Sequence, residues 1–375
     1  MLTPSRLRIA RKRQGLTLTD LARAAALSRR SLSAYENGQQ QPTPQTLAHL
    51  ATVLDVTPKF LSSSDLDEIP PGAVSFRAMS KMTARQRDRA LAAGRIAIEI
   101  NEWIEAEFTL PVANVPSLIG TDPETAAEMV RAQWGVGQAP IKNMVHLLEA
   151  NGVRIFSLTG ENAELDAFAM RWRKQPYVFL NIGESSERGR FDGAHECGHL
   201  VLHDGGRIPN DPAAEAEADR FASAFLMPRA AILGLSLREA TLDRVLEAKR
   251  HWNVSALALT RRLFDLGLLT DWRYRSLCVQ LSQLGYRRSE PDGAPRETSM
   301  LLTKVFTALR EDGQRPATIA HDLGLSVDDL HSHVFGLTMT ALTHHRRTAD
   351  SESSFTAPTG SSAAKSGRER LGLVR

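Results

Sequence analysis

Within RFDGAHECGHLVLH, His195 and His199 stand four residues apart, and they can serve one metal ion only if the string is a helix carrying both imidazoles on one side. That spacing predicts a helix through 195–199. Glu196 sits beside the pair, where a carboxylate reaches a metal-held water. After His203 the stretch DGGRIPNDP reads as a Gly/Pro turn, and it leads to EAEADRFASAFLMP, in which Ala218, Phe221, Ala222 and Phe225 form an apolar helix face. The turn lets the second helix run back along the first, so Glu215 and Asp219, again four apart, share the side facing the histidines. Glu215 is then the third ligand. Asp219, one turn further on, can accept the outer N–H of a ligating imidazole and fix its tautomer. Glu217 competes for the ligand role but falls roughly on the opposite face.

Two histidines and one carboxylate leave a fourth position for water, which is the ligand set of a hydrolytic zinc site with Glu196 as the general base. Mn²⁺ or Fe²⁺ would tolerate the same ligands. Tyr177, His203 and Arg190 are candidates for stabilising an oxyanion, although His203 reads more simply as a helix-end histidine bonded to backbone or solvent. Cys197 points away from the histidine face and reads as a small buried apolar residue. The segments 167–172 and 177–181 read as strands, either of which could hold an extended substrate as an added strand.

The chain of 375 residues is long enough for two or three domains. Its net charge of +3 is unevenly placed: residues 1–60 hold nine Lys and Arg against Asp20, Glu36 and Asp55, so this end is where a polyanion binds. Two cysteines, Cys197 and Cys278, make no disulfide framework. No apolar run reaches the roughly 18 residues of a membrane span, and no apolar segment follows the basic residues of MLTPSRLRIARKRQ. These features predict a cytoplasmic protein with no membrane contact.

The reading divides the chain into an all-α unit over 1–61, a linker and connecting helix over 62–111, an α+β domain over 112–275, a helical region over 276–348 and a disordered tail over 349–375. The linker reading rests on SSSDLDEIPPG, and the connecting helix is expected over 83–108. In the first unit, helices are expected near Thr17 to Ala25 and from Ser28, with Ser28 as N-cap. Leu21, Ala22, Leu32 and Tyr35 give the two helices a shared core. Arg29, Arg30, Ser33 and Asn37 are left to project from the third helix toward base edges, while Lys12 and Arg13 are expected to hold phosphates. Over 301–337 the pattern again reads helix, turn at Gly324, helix. Its second helix opens Val327, Asp328, Asp329, whose carboxylates repel phosphate, so packing is the expected role.

Through LRxARxxxGLT, DLA, LSRRSLSxYENG and TLAHLAxxLDV the first 60 residues resemble the phage-repressor-like (XRE-type) helix-turn-helix family. Two positions depart from its pattern. Leu18 stands where the family often has Gln, and Ala26 stands where Gly is usual at the turn. Gly there relieves a left-handed conformation, so Ala26 costs ~1 kcal/mol and implies a slightly different turn.

RFDGAHECGHLVLH and EAEADRFASAFLMP resemble the active-site and second helices of the ImmA/IrrE metallopeptidases. The resemblance implies a zincin-like fold and cleavage of a peptide bond, characteristically in a repressor that controls a phage, mobile-element or stress response. Together the two modules imply a homodimeric regulator that binds double-stranded operator DNA and cuts a repressor, itself or a partner. Two alternatives stand beside it: a regulator whose peptidase-like domain only senses or dimerises, and an antitoxin-type protein.

Overall fold

A computed structural model describes residues 1–70, 74–76, 83–158, 167–181, 183–203, 212–287, 289–291, 293–334 and 337–338 of the chain. The turn expected over 204–211 and the tail from 349 lie outside the described residues.

Five short helices open the chain: α1 (Pro4–Arg13), α2 (Leu18–Ala24), α3 (Arg29–Glu36), α4 (Pro44–Val53) and α5 (Pro58–Ser62). Their starts are written in the sequence as side-chain caps. Thr17 and Asp20 form a capping box, and the hydroxyls of Ser28, Thr43 and Thr57 accept the N–H of Ser31, Thr46 and Phe60. Leu21 and Leu32 are buried between α2 and α3. The turn joining those helices keeps its left-handed residue: Ala26 sits at φ +50°. The expectation of a different turn is thereby corrected, because the chain bears the steric cost of Cβ and keeps the conformation.

The stretch read as a linker does not hang free. Arg6 donates to Ser64 O and to Glu99, Arg8 and Lys12 both bind Glu68, and Leu66 and Ile69 are buried. Beyond it, Val74–Phe76 forms β1, a strand that the sequence reading did not contain. Helix α6 (Ala84–Glu107) follows, started by a capping box of Thr83 and Gln86.

The central sheet adds β2 (Arg154–Leu158), β3 (Phe168–Trp172) and β4 (Gln175–Asn181) in the order β1-β3-β4-β2. β4 runs parallel to β2 and antiparallel to β3, which pairs antiparallel with β1. Alternation along the strands sorts the side chains into two cores. Phe156, Phe168, Met170, Tyr177 and Phe179 face α6 and the amino-terminal helices. Ile155, Ala169, Val178 and Leu180 face the helices of the other layer. Those are α7 (Pro123–Gln133), α8 (Met144–Ala150), α9 (Ser186–Leu202), α10 (Pro212–Leu226), α11 (Arg229–Leu233), α12 (Leu242–Trp252) and α13 (Ala256–Asp265). Both strands expected to take a substrate as an added strand, β3 and β4, are interior among the described residues, so their ladders are already paired.

The boundary placed at 275 falls inside a helix, α14 (Asp271–Gln283), whose Leu277 belongs to the same core as α9 and α10. Helices α15 (Met300–Glu311), α16 (Pro316–Leu323) and α17 (Val327–Val334) then return to the amino-terminal unit. Glu149 at the end of α8 fastens the start of α15, accepting from Ser299 Oγ and the N–H groups of Met300 and Leu301. Burial pushes its carboxyl up to about 7.

Gly324 holds φ +73° after α16, and a Cβ there would lie 2.7 Å from the backbone N of Phe60; Thr57 donates both its N–H and its hydroxyl to Gly324 O. On α17, Asp329 receives the Arg13 guanidinium, while Ser157 of β2 donates to the carbonyls of Ser332 and His333. His333 also bonds to Ala93 O on α6, at 3.2 Å. This one helix therefore touches the DNA-type unit, the connecting helix and the sheet, which gives the expected packing role a definite surface.

Candidate functional site

Helix α9 starts at Ser185, whose hydroxyl takes the N–H of Arg188, and runs unbroken past His199. His195 meets Asp219 and His199, one turn further on, meets Glu215, one turn further back on α10, while His203 at the C-cap meets Glu217. The two helices are therefore antiparallel. They also come close, because Gly198 leaves room for the Phe221 ring, which a Cβ would approach to 3.1 Å. Cys197 is fully buried in that same core, and burial drives its thiol well above the usual range.

Three ligand-type atoms converge between the helices. His195 Nε2 and His199 Nε2 are 3.0 Å apart, and each lies 3.3 Å from one oxygen of the Glu215 carboxylate. Two donors about 2.0–2.1 Å from a tetrahedral ion are roughly 3.3 Å from each other, so these separations fit one zinc-sized cation. The histidine side chains are 1% and 3% exposed and Glu215 is 24% exposed. Glu215 Oε2 is buried without a hydrogen bond of good geometry. Two imidazole nitrogens facing each other beside such a carboxylate suit a shared cation, which would satisfy all three at once.

Electrostatics agree with that use. Burial alone would raise the Glu215 carboxyl, but the two imidazoles outweigh it and hold the group below the usual carboxylate range. Burial also depresses His199, which favours the neutral imidazole that a metal ligand must be. Glu196 is buried next to the ligands in sequence. Behind His195, Asp219 Oδ1 lies 2.8 Å from Nδ1. A cleft of about 740 Å³ runs along α9 and α10, bordered by Asp219, Asp192, Arg188, Arg220 and Tyr286.

Several sequence expectations need correction. His203 is neither solvent-bonded nor aimed at a substrate, because its Nδ1 is 3.0 Å from His199 Nδ1 and its Nε2 is 2.8 Å from Glu217 Oε2. Glu217 is thus drawn to the site, behind the ligands. The signal for this was present in the four-residue step from His199 to His203, but it went unused. Tyr177 alternates onto the other face of β4, buried against α6 with its hydroxyl accepting from Asn101. Burial raises its phenol strongly. Arg190 is buried and donates to Glu297 and to Ile141 O, so it fastens α9 to the chain after α14.

On the amino-terminal unit, Arg29 and Arg30 are exposed at the start of α3, and Asn37 is exposed at its end with Nδ2 3.4 Å from Ser33 Oγ. Ser33 is half-buried. Lys12 and Arg13 do not match the phosphate role expected of them. Arg13 is 8% exposed, bound to Asp329 and to the carbonyls of Leu54 and Asp55; Lys12 Nζ is 2.7 Å from Glu68. Both cations are engaged within the chain.

Two family models match parts of the chain. The model of a family described as helix-turn-helix matches residues 7–61, and that of the peptidase family described as IrrE N-terminal-like domain matches residues 148–264. The second match runs from α8 to α13 and contains His195, Glu196, His199 and Glu215. Among solved structures, the chain is similar to the crystal structure of ComR from S. thermophilus in complex with DNA and its signalling peptide ComS, at 14% identity and a TM-score of 0.17. That likeness covers 75% of this chain and 99% of the other. Among curated proteins none matches the chain. Among the described residues no helix is long and apolar enough to cross a membrane. The chain thus joins a helix-turn-helix domain to an IrrE N-terminal-like domain, with the two-histidine, one-carboxylate constellation inside the latter.

Proposed function

We propose that the chain is a homodimeric DNA-binding regulator whose central domain is a zinc-dependent endopeptidase, which ends repression by cutting a repressor, either itself or a partner. The observation that carries this reading is the convergence of His195 Nε2, His199 Nε2 and the Glu215 carboxylate within 3.0–3.3 Å, buried and backed by Asp219. His195, His199 and Glu215 would hold a zinc ion there, which would supply Lewis acidity and lower the pKa of a bound water towards about 7. Glu196 is the base, taking the proton of the attacking water and returning it to the leaving amine. On the DNA side, the exposed Arg29 and Arg30 suit the O6 and N7 edge of guanine. The resemblance to the ImmA/IrrE metallopeptidases supports control of a phage, mobile-element or stress response.

One observation favours a second reading, in which the peptidase-like domain acts on the DNA module without cleavage. Helix α17 is bonded both to Arg13 of α1 and to Ser157 of β2, so the state of the sheet can reach the helix-turn-helix unit through packed elements alone.

Purified wild type should carry about one zinc per chain, and Glu215→Ala should lose it. Zinc-loaded wild type incubated with a co-expressed repressor from the same genetic neighbourhood should release fragments visible by mass spectrometry, whereas Glu196→Gln should bind zinc and release none. Zinc in both proteins with cleavage by neither would transfer the argument to the second reading. Arg29→Ala and Arg30→Ala should each cost ~1–3 kcal/mol against the operator while leaving binding to unrelated DNA nearly unchanged. Equal losses on both DNAs, measured by fluorescence anisotropy at fixed salt, would contradict α3 as the reading helix.

A further inference from the structure

We infer that His203 and Glu217 are positioning residues that set the tautomer of the ligand His199 through a two-step hydrogen-bond relay. The inference rests on the metal-centre reading above and extends it to residues outside the ligand set.

A neutral imidazole carries a single N–H, so its two nitrogens must play opposite roles. Glu217 Oε2 lies 2.8 Å from His203 Nε2, and a carboxylate can only accept; His203 therefore places its proton on Nε2. His203 Nδ1 is then a lone pair, and the atom 3.0 Å away from it is His199 Nδ1. That nitrogen has to be the donor. His199 Nε2 is left as a lone pair, directed at His195 Nε2 and Glu215, where a cation would sit. The reverse assignment fails at both ends: it would set a carboxylate against the lone pair of His203 Nε2, and it would put a proton on the His199 nitrogen that must ligate.

The outcome is two ligand histidines prepared in the same way by different means. His195 gives its Nδ1–H straight to Asp219, at 2.8 Å, and His199 gives its own to a carboxylate one imidazole removed. The His203 side chain is 4% exposed, so no solvent molecule readily substitutes for it, while the Glu217 side chain is 34% exposed. Glu215 and Glu217 thus divide the work, one toward the cation site and one behind it, although they stand only two positions apart.

The test compares zinc affinity, by competition with a chromogenic chelator, for wild type, Glu217→Ala, Glu217→Gln, His203→Phe and the Glu217→Ala/His203→Phe double variant. Outer hydrogen-bond partners of ligand histidines are worth roughly 10–100-fold in metal affinity. Glu217→Ala and His203→Phe should each fall within that range. Glu217→Gln should lose less, since its amide oxygen still accepts, and the double variant should lose no more than the worse single because the two act in series. The melting temperature of each metal-free variant should match wild type within a few degrees. Long-range ¹H–¹⁵N spectra of zinc-loaded, histidine-labelled wild type should place the His203 proton on Nε2, the His203 signal being the one missing from His203→Phe.

Unchanged zinc affinity in Glu217→Ala and His203→Phe, additive losses in the double variant, or the His203 proton on Nδ1 would each overturn the relay. So would a fall in metal-free stability without a fall in affinity. Wild type that binds no zinc would instead overturn the metal-centre reading itself, and the relay with it.

Discussion

The close antiparallel pairing of α9 and α10 is the constraint on which the rest of the site depends. His195 and His199 on α9, with His203 at its C-cap, present three imidazoles on one side, where Asp219, Glu215 and Glu217 of α10 meet them in turn. The register is held by packing: Gly198 admits the Phe221 ring, Phe221 stacks on Phe225 with centroids 5.3 Å apart, and both belong to the core that supports the sheet. A slip of one turn would set Asp219 against His199 and leave His195 without its acceptor. The chemistry is therefore bound to an apolar contact that takes no part in it.

The sheet sits between two cores, and its other face is governed by α6 and the amino-terminal helices. The carboxy-terminal helices complete that side instead of forming a separate body. Glu149 and Glu297 clasp α8 to the chain around α15, since Glu297 accepts from the N–H groups of Met144 and Val145 while Glu149 does the same for α15. From there α17 reaches β2, α6 and α1. This gives the DNA unit a packed connection to the sheet, with Arg13 at its far end.

The parts of this arrangement legible in the sequence were those that depend on local periodicity. The four-residue steps His195–His199 and Glu215–Asp219 specify faces of helices, and helix caps such as Ser28 and Thr17 specify where those helices begin. What could not be read depends on partners far away in the chain. Lys12 and Arg13 look like phosphate contacts on a basic helix, but Glu68 lies 56 residues on and Asp329 lies 316 residues on. β1 is three residues long and is a strand only because β3 offers it a ladder. The face of Tyr177 and the contact of Glu217 with His203 were hidden for a related reason: the sequence defines alternation and helical angle, and only the packed neighbours decide which side faces the histidines. At Ala26 the steric cost was legible, whereas the chain's tolerance of it was not.

The central claim is that α9 and α10 build a preformed site for one metal ion. Anomalous diffraction at the zinc edge from crystals soaked in zinc tests it most directly. The account predicts a single strong peak between the helices, about 2.0–2.2 Å from His195 Nε2, His199 Nε2 and a Glu215 oxygen. A crystal at saturating zinc with no peak at that position, or with Glu217 in place of Glu215 as ligand, would contradict it.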